Sequence, residues 1–462
     1  LKILLALHDF LPAHAMGAEV YTGALARRLV ERGHEVRVFA TEKDIGRPNL
    51  SLERREWEGL VVHELVQNLF YADFRETWDY PPAVAALERV LDEFRPDVVH
   101  FQHLLYLSVG CVEAVHARGL PILYTLHDFW LECARFGQRI HADQSVCHTI
   151  DFERCGTCLA SFKYGQSPLE RRVARAVAAL GRVGLDLSGL ARAAGDRLRR
   201  PSRGAPAEAP PEQARALAGA ARRRSAELAR RLVPRVERFL APSRFLAGAM
   251  RAWGIPDEKL EVLGYGLELE PFEGLERRRS KVVRVAFLGT LAPHKAPHLV
   301  LEAWGKLPAD VRRHGRLRVH GPKEHNPDYV ARLERLAAQV GAELPGRLAR
   351  ADVPRELVDT DLLVVPSVWY ENSPLTIHEA LAARTPCLVS DLGGMAELVE
   401  PGRQGWRFRT GDSDDLAVAL ERVLRDPGQL TGLDLGPPPK DMRTSAQELE
   451  ERYLAALDRR AG

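Results

Sequence analysis

Short apolar runs rich in β-branched residues alternate with amphipathic helical stretches from the start of this chain. Residues 2–7 read as a buried strand, and residues 18–31 as a helix that turns Val20, Ala24, Leu25 and Leu29 inward. Gly33 stops that helix, and residues 34–41 form the next strand. The same signature predicts strands at 60–66, 97–102, 121–126 and 238–242. After about Lys259 it restarts, with strands at 283–289, 317–321, 361–366 and 386–390. Strands separated by helices call for parallel sheets covered on both faces, and two such series call for two doubly wound α/β domains. The first is expected over 1–258 and the second over 259–440. A closing segment, 441–462, carries a helix centred on 446–457.

Residues 166–234 break this rhythm. They are rich in Ala, Arg and Leu, and 199–211 adds Pro, Gly and Ser, which predicts two basic helices joined by a flexible linker. Between Arg171 and Arg235 stand sixteen Arg and no Lys against five acids, a local charge of +11 hidden inside a net +2. Two readings stay open: a solvated helical hairpin on the first domain, or a surface for anionic lipid headgroups. Nucleic acid is not expected, since no aromatic residue lies between Tyr164 and Phe239 and no binding motif is present.

The 462 residues are 45% hydrophobic and 28% charged, which excludes wholesale disorder. No run of about 18 uncharged apolar residues occurs, and residues 1–7 are too short for a signal-peptide core. The expected location is therefore cytoplasmic, with peripheral contact at an anionic membrane if the basic segment is used that way. Six cysteines in a chain this long do not make a disulfide framework. Four of them, Cys133, Cys147, Cys155 and Cys158, cluster with thirteen, seven and two intervening residues. Four thiolates could close a structural zinc site; buried free thiols or a disulfide are the alternatives.

Ligands of doubly wound sheets bind beyond the carboxyl ends of the strands, where loops enter helices. The most informative such loop is Ser367-Val-Trp-Tyr-Glu-Asn-Ser-Pro-Leu-Thr-Ile-His-Glu379. Ser373 is expected to cap a helix whose first residue is Pro374. The free amides around Leu375 and Thr376, with the helix dipole behind them, then suit a phosphate. Glu371 precedes the helix and Glu379 lies within it, so two carboxylates can grip the hydroxyls of a ribose and a sugar. The bland alternative is a pair of acids that only complements the helix dipole.

This segment resembles the Glu-x7-Glu motif of the family 4 glycosyltransferases, which have the two-domain GT-B fold. Val365-Pro-Ser367, Glu371-Asn-Ser-Pro-Leu375, Glu379-Ala-Leu-Ala382, Pro386, Gly393-Gly394 and Glu397-Leu-Val399 match the same text. Phe287-Leu-Gly-Thr-Leu-Ala-Pro-His-Lys295 resembles the family's loop with its diphosphate-binding Lys. Gly17-Ala-Glu19 and Arg32-Gly-His-Glu-Val36 resemble its Gly-rich loop and helix exit, and Leu126-His-Asp128 the strand end that presents a His. The resemblance covers the chain apart from 166–234. Three positions depart: Met16 replaces the first Gly of a pair, Thr290 an Arg beside the diphosphate, and Ala296 a Gly after the Lys.

The resemblance implies transfer of a sugar from a nucleotide-diphosphate donor with retention of configuration. It implies that Lys295 and the helix N-terminus at Ser373–Thr376 stabilise the departing diphosphate, with Gly17, Thr290 and Asn372 also lining the donor. Glu371 would hold the sugar and Glu379 the ribose, and His127 would reach the sugar from the other domain. His294 could supply part of the charge that Thr290 lacks. No catalytic metal is implied, because no Asp-x-Asp stands at the strand end beside the site. The acceptor could be a lipid-linked or cell-surface glycan precursor or a small molecule. A nucleotide-sugar epimerase and a non-catalytic GT-B partner protein are the competing readings.

Overall fold

The computed structural model describes residues 1–181, 210–324 and 326–461. Within them two sheets form. The first holds β1 (Lys2–Ala6), β2 (Glu35–Glu42), β3 (Leu52–Trp57), β4 (Leu60–Val66), β5 (Val98–Phe101), β6 (Ile122–Thr125), β7 (Arg238–Ala241) and β8 (Leu260–Val262). Their order is β3-β4-β2-β1-β5-β6-β7-β8, parallel except for β3 against β4. The second sheet holds β9 (Val283–Leu288), β10 (Gly315–His320), β11 (Glu343–Gly346), β12 (Leu362–Val365), β13 (Cys387–Ser390) and β14 (Gly405–Phe408). It is fully parallel, in the order β11-β10-β9-β12-β13-β14.

Each sheet reverses its winding once, between β1 and β5 in the first and between β9 and β12 in the second. Such a switch point opens a crevice at the carboxyl ends of the strands, because the two crossovers leave in opposite directions. The central strands β5, β6, β12 and β13 are buried along their whole length, as strands covered by helices on both faces must be.

The strands read from periodicity are all present, with ends shifted by a residue or two. Four others were not legible. β3 is an exposed edge of charged residues, β8 has only three residues, β11 contains Pro345, and β14 opens with Gly405. β8 pairs with β7, so the strand that completes the first sheet lies just beyond the expected boundary at 258. The last helix, Met442–Ala461, lies on helix Gly17–Glu31 of the first domain, and Tyr453 OH bonds His100 Nδ1 at 2.7 Å.

The basic segment divides. Helix Pro168–Gly181 lies on one side and helix Pro211–Leu232 on the other; most of the expected linker lies outside the described residues. Helix Pro211–Leu232 is no solvated face: Leu228 and Leu232 enter the first core, and Arg224 is 2% exposed. Its guanidinium donates to the carbonyls of Trp130 (2.6 Å) and Leu131 (3.2 Å) and lies over the Trp130 ring. Arg231 pairs with Asp79 and Glu113. Gly156 lets a neighbouring helix come close, since a Cβ there would stand 2.1 Å from the Ala214 carbonyl oxygen. Among the described residues no helix is long and apolar enough to cross a membrane.

Candidate functional site at the facing switch points

β9 runs into the turn that carries Thr290 and Lys295, and β12 runs into the loop that carries Ser367 to Asn372. Both leave from the second sheet's switch point, so the two segments meet. Lys295 Nζ lies 2.5 Å from Glu371 Oε1. The same oxygen accepts from Trp369 Nε1 at 2.7 Å and Ser367 Oγ at 2.9 Å. Burial pushes the Glu371 carboxyl up, but the Lys295 charge and these bonds outweigh it and hold the group below its usual range. Glu371 is therefore ionised.

The helix expected after this loop begins at Leu375, with Pro374 as its cap residue. Ser373 does not cap it: its hydroxyl lies 2.7 Å from His378 Nε2, and the cap makes no side-chain bond to the helix amides. The Ile377 amide donates to the Pro374 carbonyl at 3.0 Å, and the amides of Leu375 and Thr376 ahead of it have no intrahelical acceptor. Glu379, one turn on, is 2% exposed and paired with Arg350. Burial raises its carboxyl above the usual range, and Arg350 only partly offsets this.

Close packing from behind sets the position of the loop. The Gly394 amide donates to the Glu371 carbonyl at 2.8 Å, and a Cβ on Gly394 would stand 1.7 Å from the Asn372 carbonyl oxygen. Ala296 keeps φ at +53, the left-handed region that favours the glycine it replaces. His294 packs against Trp369, with ring centroids 4.3 Å apart and the planes tilted by 49°. Burial and Lys295 lower its pKa to about 4, so it does not supply the charge that Thr290 lacks.

The first domain meets this site directly. Asn372 Nδ2 donates to the His127 carbonyl at 2.7 Å, and a Cβ on Gly17 would touch Leu375 Cδ1 at 4.0 Å. Tyr370 packs on Phe245 and Phe129, and its hydroxyl lies 2.6 Å from His148 Nδ1. The His127 ring has both nitrogens engaged, Nε2 with Gln102 Oε1 at 2.9 Å and Nδ1 with the Tyr265 hydroxyl at 2.6 Å. Burial, with His103 and His100 nearby, lowers its pKa well below the ordinary value, so the ring is neutral.

The structure thus gathers Gly17, His127, Lys295, Glu371, Asn372 and Leu375. Glu379 and Thr376 stand on the same helix, and Thr290 in the turn before Lys295. Arg350, Trp369, Gln102 and Tyr265 went unread: Arg350 follows a strand that contains Pro, and the others look like ordinary core residues.

Of the four cysteines read as a zinc set, Cys133, Cys147 and Cys158 lie close enough to Cys155 for their charges to act on it. Cys147 Sγ donates to the Thr149 carbonyl at 3.3 Å, and Cys158 Sγ lies 3.3 Å from His141 Nδ1. All six cysteines are free. Burial, and after it the neighbouring thiols, push the Cys155 thiol up to about 12. Among the described residues no group of three or more His, Cys, Asp or Glu side chains is set to hold a metal ion.

Two family models match this chain: Glycosyltransferase Family 4 over residues 15–180 and Glycosyl transferases group 1 over residues 275–448. The D-inositol 3-phosphate glycosyltransferase of Mycobacterium marinum is 32% identical over 177 residues, 36% of this chain and 37% of that protein. The chain spans about half or less of the length of the curated relatives it matches. HepE of Anabaena in complex with UDP superposes with a TM-score of 0.62 at 16% identity, over 98% of this chain and all of that one. WaaG, a glycosyltransferase involved in lipopolysaccharide biosynthesis, gives 0.57 at 14% over the full length of both chains. Two doubly wound sheets with the GT-B architecture, one family model on the first and another on the second, make this chain similar in both halves to the family 4 glycosyltransferases.

Proposed function

We propose that this chain moves a sugar from a nucleoside-diphosphate donor to an acceptor hydroxyl with retention of configuration. The observation that carries the reading is Lys295 beside Glu371 at the switch point of the second sheet, just ahead of the open amides of helix Leu375–Ala382. As the bond from sugar C1 to the diphosphate breaks, negative charge grows on the departing oxygen. Lys295 and the helix amides lower the energy of that charge. Glu371 holds sugar hydroxyls and Glu379 the ribose hydroxyls, while Gly17, Thr290, Asn372, Ser373, Pro374 and Thr376 line the donor. Neutral His127, fixed through both ring nitrogens, is a wall that positions the sugar. The acceptor oxygen attacks from the face that the diphosphate leaves, and its proton passes to the departing phosphate oxygen.

Uridine is the first base to test, because HepE is described with UDP and with UDP-glucose. Release of nucleoside diphosphate, followed by mass detection over a panel of UDP-, GDP- and ADP-sugars, tests the reading. A folded protein that releases none from any donor would refute it.

The acceptor side of the reading includes a membrane. Helix Pro168–Gly181 exposes Leu169 (67%) and Val173 (47%), one turn apart, beside exposed Arg172 and Arg175. Apolar anchors flanked by cations suit the headgroup region of an anionic bilayer, where a lipid-linked acceptor is held.

A further inference from the structure

The segment between β6 and the basic helices carries four cysteines that the donor chemistry does not use. Three local elements present them. Cys133 lies in the turn after Asp128, where its carbonyl accepts from the Gly137 amide at 3.1 Å. Residues 139–147 fold back as a hairpin, closed by the Ile140–Val146 bridge and by the Cys147 amide on the Arg139 carbonyl at 2.8 Å. Cys155 and Cys158 stand three residues apart on helix Phe152–Ala160, so they share a face.

These elements bring the four together. Cys133, Cys147 and Cys158 are 7%, 5% and 8% exposed, and each lies close enough to Cys155 for its charge to act there. Cys147 stands in the same relation to Cys133 and Cys158. His141, on the hairpin, places Nδ1 3.3 Å from Cys158 Sγ. No disulfide joins any of them.

Two features suit this cluster to thiolates. The backbone amides of Arg135 and Arg139 both donate to the Cys133 side chain. A thiol sulfur is a weak acceptor, whereas hydrogen bonds to an ionised acceptor are about twice as strong. The second feature is Arg224, which is 2% exposed and whose bonds go to two neutral carbonyls. Among ionisable groups Cys133 interacts most strongly with its charge, ahead of Tyr124, Asp128 and Cys155. A buried cation needs opposite charge nearby. Neutral thiols supply none, while a zinc ion held by four thiolates is a dianion.

No three of these side chains are set around one point among the described residues. Protonated thiols have no reason to converge, and Cys147 Sγ donates instead to the Thr149 carbonyl at 3.3 Å. A soft divalent cation supplies the reason: each thiol gives its proton to solvent, and each sulfur then donates an electron pair to the metal.

We propose that Cys133, Cys147, Cys155 and Cys158 are the ligands of one structural zinc ion, with His141 donating its Nδ1–H to the Cys158 sulfur. A closed set of four thiolates leaves no position for a reacting water, so the ion holds the segment and does no chemistry. What it holds bears on the donor loop. His148 follows Cys147, and its Nδ1 lies 2.6 Å from the hydroxyl of Tyr370, the residue before Glu371. The ion thereby braces the donor loop from the first domain.

The full chain, purified without chelator or added metal, is expected to carry about one zinc ion by elemental analysis. Cys155→Ser with Cys158→Ser should lose it, whereas Cys111→Ala and Cys387→Ala, outside the cluster, should keep it. Cobalt needs no variant. The parent chain, stripped by a chelator and reloaded with cobalt(II), is expected to show the intense visible bands of a tetrahedral ion and thiolate-to-metal charge transfer in the near ultraviolet. Stripping should lower the melting temperature by at least about 5 °C, and zinc should restore it. Cobalt bands without the charge transfer, iron in place of zinc, or zinc retained by the double serine variant would each overturn the site. Folded, reduced protein that carries no zinc and takes up no cobalt would overturn it as well.

Discussion

Lys295 Nζ rests 2.5 Å from Glu371 Oε1, so the cation proposed for the donor diphosphate is held by the carboxylate proposed for the donor sugar. A diphosphate must compete with Glu371 for that ammonium. Glu371→Gln removes the competing charge and nearly keeps the shape. It is expected to tighten UDP binding at least about threefold while transfer falls about tenfold or more, some 1.4 kcal/mol. Lys295→Ala is expected to weaken UDP binding about tenfold. Titration calorimetry with UDP reads both, and the signs must be opposite. Losses in both variants would mean that Glu371 supports the nucleotide itself.

Glu379 gives a dependence on pH. Burial raises its carboxyl above the ordinary range and Arg350 pulls it partly back. The group accepts ribose hydroxyls on both oxygens only when ionised. UDP affinity is therefore expected to hold at high pH and to fall as pH drops through this raised pKa. Arg350→Ala removes the lowering influence, so the fall should begin at higher pH. Calorimetric titrations between about pH 5 and pH 8 check the direction, and a shift the other way would remove Glu379 from the ribose.

Gly394 fixes the loop behind these groups. A Cβ there would lie 1.7 Å from the Asn372 carbonyl oxygen and 2.8 Å from that of Glu371, and backbone cannot swing aside as a side chain can. Gly394→Ala is expected to cost about 2 kcal/mol or more and to weaken UDP binding. Gly248 is the control. It lies in helix Arg244–Trp253 with nothing within 4 Å of the added Cβ, so Gly248→Ala should gain about 0.5–1 kcal/mol. Thermal melts of the two variants should move in opposite directions.

The sheets were legible because β1, β5, β6, β9, β12 and β13 are mostly apolar, interrupted by single polar residues such as His100 and Arg284, the mark of parallel strands covered on both faces. β3 hid because an edge strand needs no apolar face, and Leu-Glu-Arg-Arg-Glu-Trp reads as surface. The loop from Ser367 to Glu379 was legible because a strand, a Pro and two acids at fixed offsets survive without coordinates. Arg350 and Tyr265 were not, since their partners Glu379 and His127 lie 29 and 138 residues away. The cap was misplaced at Ser373 because a hydroxyl next to a helix start can turn to another nearby partner, here His378 Nε2.

Arg224 shows why the basic segment cannot be treated as a detachable arm. Two carbonyls of the turn after Asp128 depend on its guanidinium, and Asp128 Oδ1 accepts from the Trp130 amide at 2.7 Å in the same turn. Arg224→Met leaves those carbonyls buried without a donor, which is expected to cost about 2–4 kcal/mol. Arg223→Ala, on the exposed side of the same helix, should stay within about 0.5 kcal/mol. Removal of 166–234 would also take Leu228 and Leu232 out of the first core, so it should unfold that domain. Equal melting temperatures for the Arg224 and Arg223 variants would sink this assignment.

The proposed membrane contact is placed on helix Pro168–Gly181, where the exposed Leu169 and Val173 stand beside the exposed Arg172 and Arg175. Each cation near an anionic bilayer is worth roughly 1 kcal/mol, and the exposed Leu169 and Val173 add apolar insertion. The two contributions respond differently. The electrostatic part must fade with salt, because the Debye length falls from about 10 Å at 0.1 M to about 3 Å at 1 M. The apolar part does not fade. The protein is therefore expected to co-sediment with phosphatidylserine-containing vesicles at low salt and to be largely released at high salt. Leu169→Glu with Val173→Glu should abolish attachment even at low salt, because it removes the anchors and cancels two charges. Both positions are exposed, so the double variant should melt with the parent protein. Equal sedimentation of parent and double variant, or no preference for anionic over neutral vesicles, would return the helix to a plain solvated face.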